Sequence, residues 1–160
     1  MYQYIVLLHV TGAFIFALAH GVSIAVSLRL RGARSREQVA GLLDLSQIAT
    51  GGLYTGLVLL LIGGVWAGFV GEHWSRGWIW AALGTLIVVI VVMYAVATPF
   101  YGKLRVAAGA EVPPAMATRY GDVGPDDLSG MAASPRPIWL AVVGGVGLLV
   151  ILWLMVVKPF

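Results

Sequence analysis

His9 and His20 are the residues of this 160-residue chain best suited to chemistry in an apolar setting. They stand eleven residues apart on one predicted helix, three turns, so they point the same way. Their separation along the axis is about 16 Å at 1.5 Å per residue. His9, Ala13, Phe16, His20, Ser23 and Ser27 follow the three-and-four spacing of a single helix face. Two imidazoles so far apart cannot clamp one metal ion or one haem from opposite sides within a single chain. Each must act in its own layer.

Three chemistries suit such residues. The plainest is a neutral imidazole hydrogen-bonded to a Ser, Thr, Tyr or backbone carbonyl of a neighbouring helix. The second is ligation of haem b, for which imidazole is a usual axial ligand and Met93 a weak second one. The third is a metal ion held by His9 or His20, or a proton or ion path along the stripe, because His changes charge near neutral pH. Thiolate chemistry is excluded, since the chain has no Cys. Hydrolysis is disfavoured: the apolar segments contain no Asp, Glu or Lys, and neither HExxH nor a nucleophile elbow occurs. The chain reads as a binding protein more than as an enzyme.

The elements that must position these residues are membrane spans. The chain is 60% hydrophobic and 11% charged, against roughly 25% charged in an average soluble chain. Four apolar segments, 4–28, 48–70, 77–101 and 138–157, each match the ~20 residues needed to cross ~30 Å of hydrocarbon. None contains an acidic or basic residue. The first segment is too long for a signal peptide, and its basic residues follow it rather than precede it. The predicted architecture is therefore all-α: one domain, residues 1–160, forming an integral membrane four-helix bundle.

Charge gives the bundle a direction. Arg29, Arg31, Arg34 and Arg36 fall between the first two spans, and Lys103, Arg105, Arg119 and Arg136 between the last two. The positive-inside rule places these eight of ten basic residues in the cytoplasm, so both termini lie outside. Trp66, Trp74, Trp78, Trp80 and Trp153 gather toward the opposite face as an interfacial belt. Depth then groups the polar residues. His20 shares a layer with Tyr54, Met93 and Tyr94, the tyrosines as surrounding contacts, and with Thr50, Thr55 and Thr98. His9 lies in an outer layer with Trp66, Trp80 and Thr85, near His73.

Ser35 and Gln38 have capping-box spacing, which predicts a helix starting near Arg36 and running into the second span, with Asp44 in reach of the Arg cluster. Residues 71–76 read as a tight hairpin. Residues 102–137, rich in Ala, Gly and Pro, read as a long irregular, mobile loop in which Asp126 and Asp127 begin a short helical turn. Small residues recur at four-residue spacing: Ala13, Ala17 and Gly21; Gly52 and Gly56; Gly64 and Gly68; Ala141 and Gly145. They predict close helix approach within the bundle, with a homodimer contact as the alternative.

The segment Tyr4-Ile5-Val6-Leu7-Leu8-His9-Val10-Thr11-Gly12-Ala13-Phe14, the His20-Gly21 pair, the Gly77-Trp78 entry and the ending Trp153-Leu154-Met155-Val156-Val157-Lys158-Pro159-Phe160 resemble an uncharacterised family of small bacterial predicted integral membrane proteins. The resemblance covers nearly the whole chain, and that family carries no settled activity. More distantly, Leu8-His9 and the four-helix layout are similar to copper-resistance-D-like proteins and to haem-binding, protoporphyrinogen-oxidising membrane proteins. That likeness implies haem or copper at His9. The absence of Lys from the spans departs from the porphyrin-oxidising pattern, so that activity is not carried over. The expected location is the bacterial cytoplasmic membrane. The expected partners are the lipid bilayer and either a second copy or a larger membrane complex, with no nucleic acid.

Overall fold

In the computed structural model, which describes residues 1–33 and 35–160, the chain is helical throughout, with no strand among the described residues. Four helices are long and apolar enough to cross a membrane. They are α1 (Tyr2–Leu30), α2 (Arg36–Val70), α3 (Gly77–Ala108) and, after two short helices α4 (Pro114–Arg119) and α5 (Leu128–Ala132), α6 (Arg136–Val157). Arg34, counted above among the basic residues, lies outside the described residues.

The helices run alternately up and down, which brings both ends of the chain to one end of the bundle. Tyr2 Oη meets His73 Nε2 at 3.3 Å, and the Trp78 N–H donates to Phe160 O at 3.3 Å. The connection between α2 and α3 is a 3-10 turn, His73–Ser75, entered through Glu72 in the left-handed region (φ 53°). Here Trp80 Nε1 donates to Trp74 O at 3.0 Å, and the Trp74 and Trp80 rings lie 5.6 Å apart.

Outside the basic end, the bundle buries little. Side chains such as Leu7, Phe14, Leu18, Val58, Ile87, Val91, Leu149 and Trp153 are all more than half exposed. Four such apolar outer faces are what a lipid-facing surface presents, because lipid and Leu are equally apolar and nothing drives these side chains inward.

The seam between α1 and α2 is made by glycine. A methyl group placed on Gly12 would stand 2.9 Å from Gly56 O, and one on Gly56 would stand 2.9 Å from Gly12 O. The two backbones therefore meet reciprocally, close enough for Cα–H···O contacts. Gly63 meets the His9 backbone, and Gly52 meets Ala19. The α1 face in the seam is thus His9, Gly12, Phe16 and Ala19, beside the expected row of Ala13, Ala17 and Gly21. Gly21 has nothing within 4 Å of where its Cβ would be. On α6, Gly144 and Gly147 make the close contacts, while Gly145 makes none. Four-residue spacing names several rows on one helix, and packing selects the row whose bulky flanks fit the partner.

The tightest apolar core lies at the basic end. Val26 and Leu30 of α1, Val39 and Leu43 of α2, Phe100, Leu104, Ala107 and Ala108 of α3, and Leu128 of α5 pack together, with Leu30, Leu43 and Leu104 fully buried. The 35 residues of α2 and 32 of α3 make helices of about 52 and 48 Å, well beyond a ~30 Å hydrocarbon layer. The buried cluster lies at this end, where burial of a large apolar side chain from water is worth about 1.5–3 kcal/mol. The Ser35 cap holds as expected, with Gln38 N donating to Ser35 Oγ at 3.2 Å. Two arginines brace this end. Arg36 donates to Ala107 O at 3.2 Å, at the carbonyl end of α3. Arg105 donates to Leu43 O and lies 3.8 Å from Asp44, so Asp44 pairs with α3, and no Arg among the described residues of the first connection pairs with it.

Residues 109–135 contain short helical pieces. Pro114 starts α4, and Asp126 and Asp127 open the 3-10 turn that leads into α5. Tyr120, 6% exposed, lies flat on the notch left by Gly102. Within α3, Pro99 lacks the N–H that would bond the Ala95 carbonyl, a defect tolerated where neighbouring helices support the backbone.

Candidate functional site

The two histidines share a face of α1 but not an environment. His9 sits in the α1–α2 seam toward the end that carries the chain ends, over Gly63 and Gly64. Its Nδ1 lies 2.8 Å from Leu60 O. A carbonyl only accepts, so Nδ1 carries the proton and the neutral ring keeps its lone pair on Nε2. His9 is thus the satisfied interior histidine of the plainest expectation.

His20 is not satisfied. It is 5% exposed, its ring stacks on Phe16 at 6.4 Å between centroids with 9° between planes, and Nε2 is buried with no hydrogen-bond partner among the described residues. A buried polar atom left unpaired costs about 1–3 kcal/mol. The reason lies in the neighbours. The groups that share its depth are spent elsewhere or face away. Thr50 donates to Ser46 O at 2.8 Å and Thr55 to Gly51 O at 3.0 Å, each on its own helix. Tyr54 is 62% exposed and Tyr94 69%, both on the outer surface of the bundle, so neither surrounds His20 within one chain. Ser23 donates to Ala19 O at 3.2 Å. Ser27 donates to Ser23 O at 2.8 Å and meets Tyr101 Oη at 2.9 Å, tying α1 to α3 two turns below.

Met93 is the predicted companion that the bundle does bring to His20. Both converge on Gly144 of α6. A methyl group on Gly144 would stand 2.6 Å from His20 Nε2 and 3.2 Å from Met93 Cε, and would collide with His20 Cε1. The thioether sulfur is one bond from that Cε. Three helices therefore place an imidazole nitrogen and a thioether around one glycine. The glycine itself escaped the sequence analysis, which named Ala141 and Gly145 instead. The paired Gly144 and Gly145 one turn before Gly147 were the available signal.

This arrangement tests the haem expectation. An axial ligand needs the iron directly beyond Nε2 and the porphyrin spread around it. Beside His20 Nε2 stands the backbone of α6, close enough to leave no room for a methyl group on Gly144. The residues present do not fit a haem at His20. An apolar groove of about 470 Å³ does open on α2, but Leu61, Ile62, Val65, Trp66 and Phe69 line it, and none of them is an axial ligand. His9 and His20 lie in separate layers, as their spacing requires. No cluster of three or more His, Asp or Glu able to hold a metal occurs among the described residues.

No family model, curated protein or solved structure matches the chain.

Proposed function

We propose that the chain is a multi-pass protein of the bacterial cytoplasmic membrane, of the small integral membrane family it resembles, that holds one soft metal ion between His20 and Met93. It acts as a binding component in electron transfer or sensing rather than as an enzyme. The observation that carries this reading is the buried, unpartnered Nε2 of His20, with the Met93 methyl converging on the same glycine. A thioether with an imidazole is a soft donor set, suited to Cu(I) more than to Mg²⁺ or Ca²⁺, which take oxygen. Binding an ion would relieve the unpaired nitrogen. A single ion also needs far less space than haem b, which the packing at Gly144 argues against. Elemental analysis of protein purified from copper-supplemented cells tests it: about one copper per chain is expected, and copper-free protein overturns it.

The orientation follows from charge. We place both termini and the 71–76 hairpin on the outer face and the Arg-braced end in the cytoplasm. A reporter fused after Phe160 should be active in the periplasm, and a cytoplasmic result reverses the arrangement.

A second reading, an accessory subunit packing in the bilayer against itself or a larger complex, is favoured by Gly21, which is exposed and has no neighbour within 4 Å. Helices approach closely at such positions. Native mass measurement of gently extracted protein should then give an assembly, and a lone monomer counts against it.

A further inference from the structure

We infer that the end of the bundle carrying both chain ends binds a phosphate-type oxyanion between Arg76 and Lys158. This inference is independent of the metal site. A cavity of about 190 Å³ opens there, lined by His73, Arg76, Trp78, Lys158 and Phe160. At ~30 Å³ per liquid water it has room for about six waters, or for a tetrahedral oxyanion. Its lining mixes two permanent cations with two aromatic walls.

Neither cation is engaged in an ion pair among the described residues. Among the described residues the ion pair present is Arg105 with Asp44, at the opposite end, and no carboxylate lies within 4.0 Å of Arg76 or Lys158. Glu72, the acidic residue of this hairpin, reaches neither within that distance. The Lys158 ammonium is held 5.5 Å from the Trp78 ring centre, a cation–π contact that fixes its position while leaving its three N–H donors unused. Trp78 is 7% exposed, packed with Ile79, Ala82 and Leu154. Lys158 itself adopts φ 50°, a left-handed conformation strained for a side chain with a Cβ, and it turns the chain back over α3.

Backbone donors play little part, because the Trp78 N–H is committed to Phe160 O. Recognition therefore falls to the side chains. Arg76 offers a planar fork suited to two oxyanion oxygens, and Lys158 offers a point charge. His73 has its Nε2 beside Tyr2 Oη, so with Tyr2 donating, the neutral ring's proton is on Nδ1. The site lies at the level of Trp74 and Trp80, where an interfacial aromatic belt meets lipid headgroups. A phosphodiester headgroup and free phosphate share the chemistry that this site recognises.

The test uses the full chain in mild detergent. Native mass spectrometry follows retention of phosphatidylglycerol against phosphatidylcholine, and equilibrium dialysis follows inorganic phosphate. One phosphatidylglycerol per chain should be retained in preference to phosphatidylcholine, and R76Q/K158Q should weaken it about tenfold or more. R31Q, at the opposite end, should leave it unchanged. Phosphate binding lost in the same double variant, without lipid retention, would identify a soluble anion as the ligand of the same site. The charge-preserving Lys158→Arg should keep binding, which separates loss of charge from loss of fold. Equal retention of both lipids, or binding as strong in the double variant as in the wild type, overturns the proposal.

Discussion

His20 Nε2 and the Met93 methyl, from α1 and α3, meet at one point on a third helix: a methyl group on Gly144 would lie 2.6 Å from the first and 3.2 Å from the second. The closeness makes Gly144 a sensitive position among the spans. Gly144→Ala should destabilise the bundle by about 1–3 kcal/mol through overpacking. Gly145→Ala, with nothing within 4 Å, should stay within about 0.5 kcal/mol. Thermal unfolding of both variants in the same detergent checks the contrast.

A histidine whose nitrogen is buried unpaired lowers the stability of the metal-free protein. His20→Leu removes that polar atom at similar volume and should raise metal-free stability by about 1–2 kcal/mol. His9→Leu loses the bond to Leu60 O instead and should lower it. Equal losses in the two variants would show that His20 has a partner.

That opposition was half legible in the sequence. The eleven-residue spacing put both rings on one face in separate layers, and depth grouped His20 with Met93, whose methyl comes to the same glycine. Which histidine would be satisfied was not legible. It depends on which glycine row of α2 and α6 packs inward, and four-residue spacing leaves Gly144 and Gly145 equivalent. Tyr54 and Tyr94 share the depth of His20, but helical rise says nothing of rotation, and packing turned both outward. The four spans were legible because apolar length is a property of sequence alone. The Ser35 cap was legible because its partner is three residues away. The turn at Asp126 and Asp127 was legible, but the seat of Tyr120 was not, because Tyr120 is held by Gly102, which is distant in sequence.

The α1–α2 seam should be the stiffest contact among the spans. Gly56→Leu should separate the helices or unfold the bundle, because even a single methyl on Gly56 would stand 2.6 Å from Phe16 N. Gly21→Leu should be tolerated. Cross-linking between single cysteines placed at exposed positions of α1 and α2 beside the seam, compared with melting temperature, distinguishes a loosened seam from global unfolding.

At the basic end, the two partners of one ion pair should differ. Arg105 is 13% exposed and also bonds Leu43 O, whereas Asp44 is 72% exposed. Arg105→Met should cost about 1–3 kcal/mol through the lost charged hydrogen bond. Asp44→Asn should cost less than about 1 kcal/mol, as exposed pairs do. Denaturant unfolding with added salt checks it, since only the Asp44 contribution should fade with ionic strength.

The central claim is that His20 and Met93 together hold one soft metal ion. Anaerobic Cu(I) titration of the purified full chain against a chromogenic competitor tests it most directly. One Cu(I) per chain is expected, with His20→Leu and Met93→Leu each weakening binding about tenfold or more and His9→Ala leaving it unchanged. Failure of the wild type to take Cu(I) from the competitor, or the same affinity in all three variants, would contradict it.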